Sequence, residues 1–219
     1  MISDIRLSLF QRYCIAALTL LWALGSPLFA LAQSTTPQAT IVVLGDSLSA
    51  EYGLERGTGW VALLAKQAPK HRVVNASISG DTTSGGLSRL PSVLSQHRPH
   101  VVVIELGAND ALRGLSLNAT QDNLTRMVIA AQQSGARVLL LGMQVPPNYG
   151  PDYTQKFAAL FKQVARSQNV PLVPFFLQGV ADAPDAAQLF QADRIHPNAS
   201  AQARMLHNVW PELQKLLPR

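Results

Sequence analysis

The residues of this chain best suited to chemistry fall in four short blocks. Gly45-Asp46-Ser47-Leu48 offers a hydroxyl on a tight turn, with Asp46 free to fix the turn through nearby backbone amides. Ser79-Gly80-Asp81-Thr82 contains a glycine that lets the backbone approach a ligand and present its amide. Gly107-Ala108-Asn109-Asp110 carries a side-chain amide able to donate to a developing oxyanion. Asp193-Arg194-Ile195-His196-Pro197 puts a carboxylate three residues before an imidazole, so one loop carries both. Imidazole takes a proton from a serine hydroxyl, while a nearby carboxylate selects its tautomer and stabilises the imidazolium.

Each block alone has a plainer reading. Gly-Asp-Ser is a frequent capping turn, Gly80 an ordinary loop glycine, Asn109 and Asp110 turn formers, and His196 a surface histidine or, with Asp193, a metal ligand. No cysteine or His-rich cluster supports a metal, and His71, His97, His100 and His207 lack a comparable neighbour and read as solvated. Order changes the weight of the set. Ser47, Gly80, Asn109 and Asp193-x-x-His196 supply a nucleophile, two oxyanion donors, an orienting acid and a base, which are the parts of acyl transfer.

Such groups need a scaffold that brings them together. Short aliphatic runs at Thr40 to Leu44, Arg72 to Asn75, Val101 to Leu106, Val138 to Met143 and Val170 to Phe176 read as strands buried on both faces. Helical spacing separates them, over Trp60 to Gln67, Thr83 to His97, Ala119 to Ser134, Tyr153 to Gln168 and Asn198 to Leu217. Pro69 ends the first helix, Pro99 follows the second, Gly135 sits at a C-terminal cap and Asn198 can cap the last. The alternation predicts an α/β fold of three layers, α/β/α, around a flavodoxin-like five-stranded parallel sheet. In such sheets ligands bind at the carboxyl ends of strands, and the four blocks are expected to fall at those strand ends, the last just before the final helix.

Composition narrows the class. With 219 residues, 47% hydrophobic and a single Cys, the chain is neither disordered nor a disulfide-stapled miniature. The net charge of +5 is spread along the sequence rather than gathered in a stripe, which disfavours nucleic acid as a partner. Arg6 and Arg12 precede an apolar run from Cys14 to Leu24, broken by Gly25-Ser26-Pro27 and followed by Ala30-Leu31-Ala32. This is the pattern of a secretory signal peptide at 1–32, shorter than a membrane span, leaving a single domain at 33–219. Cleavage near Ala32 removes the only thiol, consistent with a periplasmic or secreted protein that keeps no stable membrane span. An uncleaved N-terminal anchor is the alternative.

Taken together, the four blocks resemble the SGNH, or GDSL, hydrolase family, from Ile41 to about the C-terminus. Asn109-Asp110-Ala111-Leu112-Arg113-Gly114 and Pro147-Asn148-Tyr149-Gly150 are similar to its periplasmic thioesterase I, lysophospholipase and arylesterase subgroup. Arg194 stands where that subgroup commonly has glycine. The resemblance implies Ser47 as nucleophile, His196 as general base and Asp193 as its partner, with Gly80, Asn109 and the Ser47 amide as oxyanion donors. It implies ester or thioester hydrolysis (aryl or acyl esters, acyl-CoA, lysophospholipids) by a monomer without metal or organic cofactor. The Ala111 to Ser116 segment is expected to respond to substrate, as in that subgroup.

Leu112, Leu115, Val145, Pro146, Tyr149 and Ile195 lie in loops expected to surround Ser47 and form a groove for an acyl chain or aryl group, unless they only pack their own loops. Two other functions remain open from sequence. A carbohydrate O-acetyl esterase of the same fold would share the four blocks. A nucleotide- or flavin-binding module would share the sheet, although neither a Gly-x-x-x-x-Gly-Lys-Ser/Thr loop nor a Gly-x-Gly-x-x-Gly turn occurs. The Gly-x-Ser-x-Gly elbow of another hydrolase fold is also missing, because Ser49 occupies its last position.

Overall fold

Aliphatic runs with no polar alternation cannot leave a face in water, and they stack at the centre of the molecule. The computed structural model describes residues 38–218. The expected signal segment 1–32 and its cleavage point lie outside them. Five strands, β1 (Thr40–Gly45), β2 (Arg72–Asn75), β3 (Val101–Glu105), β4 (Arg137–Leu141) and β5 (Leu172–Val173), form one sheet in the order β2-β1-β3-β4-β5. All neighbours are parallel, in a register that sets Ile41 beside Val73 and Gly45 beside Glu105.

Burial follows position in the sheet. Central β3 is buried at all five residues. Edge strand β2 is not buried on both faces as its Val-Val core suggests, since Arg72 and Asn75 reach solvent. The other edge strand shrinks to two residues because Pro171 and Pro174 bracket it and proline has no N–H for the ladder.

The helices are α1 (Trp60–Gln67), α2 (Thr83–His97), α3 (Ala108–Leu112), α4 (Leu117–Gln133), α5 (Pro151–Ser167), α6 (Ala186–Leu189) and α7 (Gln202–Leu213). Right-handed crossovers place α2, α4 and α5 on one face and α1 with α7 on the other, and those groups pack side by side. Helix ends obey local chemistry. Thr82 caps α2 by accepting from the Gly85 N–H, Ser116 caps α4, which begins two residues before the expected Ala119, and Gly135 (φ +88°) closes α4 with a Schellman pair. Asn198 caps as expected, but onto a 3₁₀ turn at Ala199–Ala201, so the last helix is shorter than its periodicity suggests. Among the histidines read as solvated, His71 departs from that reading. Its Nδ1 is buried without a partner among the described residues, and burial, helped by Lys70, lowers its pKa.

From β1 the chain crosses to one edge and then returns to β3, so the carboxyl ends of β1 and β3 diverge into a crevice at the switch point. Ser47 follows β1, Ser79-Gly80 follows β2 and Asn109 follows β3. That crevice is where the candidate groups meet.

Candidate active site

The turn after β1 is built from its own side chains. Asp46 O accepts from the N–H groups of Ser49 (3.2 Å) and Ala50 (2.9 Å), and Asp46 Oδ1 accepts from the Leu48 N–H at 3.0 Å. Asn75 Nδ2 donates to Ser49 O at 2.7 Å, pinning the turn to the end of β2. Gly45 is required here by closeness, since a Cβ would lie 2.7 Å from Glu105 Oε2. The result presents Ser47 Oγ at 2.9 Å from His196 Nε2.

His196 is held by the loop expected from the three-residue spacing. Its Nδ1 lies 2.7 Å from Asp193 Oδ2, while Asp193 Oδ1 accepts from the N–H groups of Ile195 (2.9 Å) and His196 (3.0 Å). The hydrogen bond to the His196 ring, followed by these backbone donors, pulls the Asp193 carboxyl down to about 2. A carboxylate so stabilised is an acceptor fixed toward Nδ1, which leaves Nε2 to face the hydroxyl. Gln191 braces the loop, its N–H donating to His196 O at 2.8 Å while its own carbonyl accepts from Arg194 N at 3.0 Å. The bend puts Arg194 at φ +57°, a left-handed conformation that suits glycine better than arginine.

The expected N–H donors sit on the segments that follow β1, β2 and β3. Among the described residues neither the Ser47 nor the Gly80 N–H has an acceptor. Gly80 adopts φ +78°, and Arg113 Nη2 donates to its carbonyl at 2.7 Å. Asn109 differs, because its Nδ2 donates to both Asp46 Oδ2 and Asp81 O, each at 3.0 Å. Both amide hydrogens are engaged, so donation to an oxyanion requires one of these bonds to be exchanged. The adjacent Asp110 bonds instead to Thr83 and Thr120. It is buried and accepts from Thr83 N (2.9 Å) and Thr120 Oγ1 (3.3 Å), tying together the starts of α2, α3 and α4.

A hydroxyl, imidazole and carboxylate in line, beside unengaged amides, form an arrangement able to make and break an acyl-serine bond. Residues 43–204 match the GDSL-like lipase/acylhydrolase family. The chain belongs to this family. It is 52% identical over 182 residues to the esterase TesA of Pseudomonas aeruginosa, covering 81% of this chain and 89% of that protein. It is 42% identical over 179 residues to the thioesterase 1/protease 1/lysophospholipase L1 of Escherichia coli K12, covering 81% of this chain and 85% of that one. A crystal structure of TesA aligns with a TM-score of 0.78 at 52% identity, covering 81% of this chain and 99% of that one. The chain is accordingly an ester-bond hydrolase, which displaces the nucleotide- and flavin-binding alternative.

The residues expected to line the hydrolase's groove divide into two groups. Leu112, Leu115, Pro146, Tyr149 and Ile195 are exposed, Ile195 at 52%. Tyr149 stacks on Tyr153, whose hydroxyl donates to Ala111 O at 3.3 Å, so the Pro147–Tyr149 turn and the α3 segment are linked. Val145 does not fit the groove expectation. It is 6% exposed and packs within the core, at the end of the Gly142-Met143-Gln144-Val145 segment that leaves β4.

Two residues that the motif reading of this hydrolase passes over, Tyr52 and Glu105, prove central, and Asp46 does more than fix its turn. Tyr52 lies with its ring 4.3 Å from that of His196. Glu105, fully buried at the end of β3, accepts from Ser49 Oγ at 2.7 Å and from the Asp46 N–H at 3.3 Å. Burial first, and the Asp46 carboxylate second, push its pKa well above the ordinary carboxylate range. Asp46 itself, 1% exposed, is raised by burial to about 6 despite its bonds to Leu48 and Asn109. A glutamate inside an uninterrupted Val-Val-Val-Ile run was the available signal for this pair, because a buried strand has no ordinary place for one.

Proposed function

We propose that Ser47 is the nucleophile, His196 the general base and Asp193 its orienting partner. The observation that supports this most strongly is the continuous chain of short contacts from Ser47 Oγ through His196 to Asp193. His196 Nε2 removes the hydroxyl proton as Ser47 Oγ attacks the carbonyl carbon of an ester or thioester. Negative charge then gathers on the former carbonyl oxygen. The N–H groups of Ser47 and Gly80 receive it, joined by Asn109 Nδ2 once one of its present bonds is exchanged. The tetrahedral intermediate collapses as His196 gives its proton to the departing alcohol or thiol. Water, deprotonated by the same imidazole, releases the acid and restores Ser47.

Carboxylic esters and thioesters are the substrates of this serine hydrolase: aryl and acyl esters, acyl-CoA and lysophospholipids, with Leu112, Leu115, Pro146, Tyr149 and Ile195 lining the acyl or aryl groove. No cofactor enters the cycle, and the enzyme works as a monomer in the periplasm or outside the cell after removal of residues 1–32. Among the described residues no helix is long and apolar enough to cross a membrane. The test is a panel of p-nitrophenyl esters, acyl-CoA thioesters, lysophospholipids and acetylated sugars, assayed with wild type and Ser47→Ala. Wild-type turnover on long-chain esters and thioesters, lost in Ser47→Ala, is the expected result. Retained turnover in a folded Ser47→Ala protein would overturn the assignment of the nucleophile.

A further inference from the structure

The imidazole of His196 meets protein on three sides, and the third has no part in the scheme above. One ring nitrogen faces Asp193, the other faces Ser47, and against the ring lies the side chain of Tyr52. The centroids are 4.3 Å apart and the planes 37° from parallel, so the tyrosine presents its face more than its edge. This contact is not a loose surface collision. Tyr52 as a whole is 49% exposed, but its backbone is fastened at both ends: its N–H donates to Ser47 O at 3.4 Å, and its carbonyl accepts from Gln191 Nε2 at 2.8 Å.

Gln191 joins the two loops that carry the reacting groups. Besides Tyr52 O, its Nε2 donates to Pro197 O at 3.2 Å, while its backbone N–H donates to His196 O at 2.8 Å. The strands of this clasp run so close that a Cβ on Gly53 would lie 2.0 Å from Gln191 Oε1. The chain reaches Tyr52 through Glu51 at φ +60°, whose carboxylate accepts from the N–H groups of Gly57 (3.1 Å) and Gly59 (2.8 Å). A left-handed non-glycine residue fixed in this way directs the chain back over the site.

We propose that Tyr52 is a positioning residue for His196, its ring face stabilising the imidazolium formed during turnover, and that Gln191 is the clasp that keeps it there. This rests on His196 being the general base. An aromatic face attracts a cation and is nearly indifferent to a neutral imidazole, so the contact strengthens when His196 takes the Ser47 proton. It therefore acts on kcat rather than on substrate binding. The charged groups facing the ring are the carboxylates of Asp193, on its own loop, and Asp46, on the nucleophile turn. Tyr52 adds to them without introducing a charge.

Three substitutions isolate the ring face. Tyr52→Phe keeps it, Tyr52→Leu keeps an apolar cover but removes the π system, and Tyr52→Trp strengthens the π system. The Tyr52 hydroxyl bonds to none of the described residues, so its loss is expected to matter little. The assay is hydrolysis of p-nitrophenyl butyrate between about pH 5 and pH 9, with thermal midpoints measured alongside. Tyr52→Leu should lower kcat by about 2- to 30-fold with KM nearly constant. It should also move the acid limb of the kcat/KM profile down by about 0.4 to 1.5 pH units, because the imidazolium loses a stabilising neighbour. Tyr52→Phe should match wild type, and Tyr52→Trp should hold the acid limb at or above the wild-type position.

An unchanged kcat and acid limb in Tyr52→Leu would overturn the proposal, as would an upward move of that limb or a loss confined to KM, which marks a substrate wall. Should Tyr52→Leu melt early, the Phe and Trp variants decide alone: a downward limb in Tyr52→Trp, or a loss in Tyr52→Phe of about 2-fold or more in kcat, defeats it. Ser47→Ala measured in parallel separates the two levels. If Ser47→Ala is inactive while Tyr52→Leu is unaffected, only the role of Tyr52 fails.

Discussion

Replacing Asp46 with asparagine asks how far the nucleophile turn tolerates a charge taken out of water. The Asp46 carboxyl is raised from an ordinary 3.8 to about 6, chiefly because burial strips its solvent. A gap of about two pH units corresponds to ~3 kcal/mol between the protonated and ionised forms. The sign follows from where the proton is held. Folded Asp46 binds its proton more tightly than the unfolded chain does, so the cost is absent below about pH 4 and grows as pH rises through 6. Asparagine carries no such charge. The stability of wild type relative to Asp46→Asn should therefore fall by ~3 kcal/mol between about pH 4 and pH 8, or roughly 6 to 12 °C in thermal midpoint for a domain of this size. Urea denaturation of both proteins across that range measures it. A difference that stays constant with pH, or wild type gaining on alkalinisation, would refute the reasoning. Activity moves the other way. An asparagine offers an NH₂ group or a single oxygen where Asp46 now accepts from both Leu48 N and Asn109 Nδ2, so Asn109 is misdirected and kcat should fall by up to ~100-fold.

Asn109→Ala should cost ~100- to 1000-fold in kcat and leave a measurable remainder, whereas Ser47→Ala should approach ~10⁶-fold; single-turnover assays with a p-nitrophenyl ester separate the two. Arg194→Gly relieves the left-handed strain at φ +57° and should stabilise the fold by ~1 kcal/mol, read as a rise of about 2 to 4 °C in thermal midpoint. Val145→Ala should destabilise by ~2 kcal/mol, because it empties part of the core. Leu112→Ala, at an exposed site, should leave stability within ~0.5 kcal/mol and instead shift preference along a series of p-nitrophenyl esters of increasing acyl length.

The sheet was readable because each central strand is a continuous aliphatic run, and such runs have one stable place in an α/β layer. Its edges were less so. Whether Val73 and Val74 meet two layers or one depends on strand order, which no local pattern encodes, and the two-residue β5 was cut short by prolines that the apolar run obscured. The four chemical blocks were legible for the same reason as the strands they follow. Short-range geometry, such as the bonds within Asp193-x-x-His196, is set by spacing alone. Contacts between blocks are not. That Asp46 would occupy an Asn109 hydrogen, that Tyr52 would return over His196, and that Glu105 would lie beneath Ser49 all depend on how separate loops approach one another. Val145 shows the converse error, since an apolar residue near a site looks alike from sequence whether it faces the groove or the core.

Ser47 and His196 stand 149 positions apart in the chain, and their hydrogen bond spans nearly the whole of the described fold. On the proposed assignment, hydrolysis is thus a property that no early stage of synthesis can possess: a nascent chain stopped before His196 already carries Ser47 and the neighbouring N–H groups but lacks the imidazole that faces the hydroxyl. Pairings between remote segments form slowly compared with local helices. In a refolding experiment, catalysis should accordingly be regained after most of the far-ultraviolet circular dichroism, making turnover a chemical clock for the moment the last loop docks.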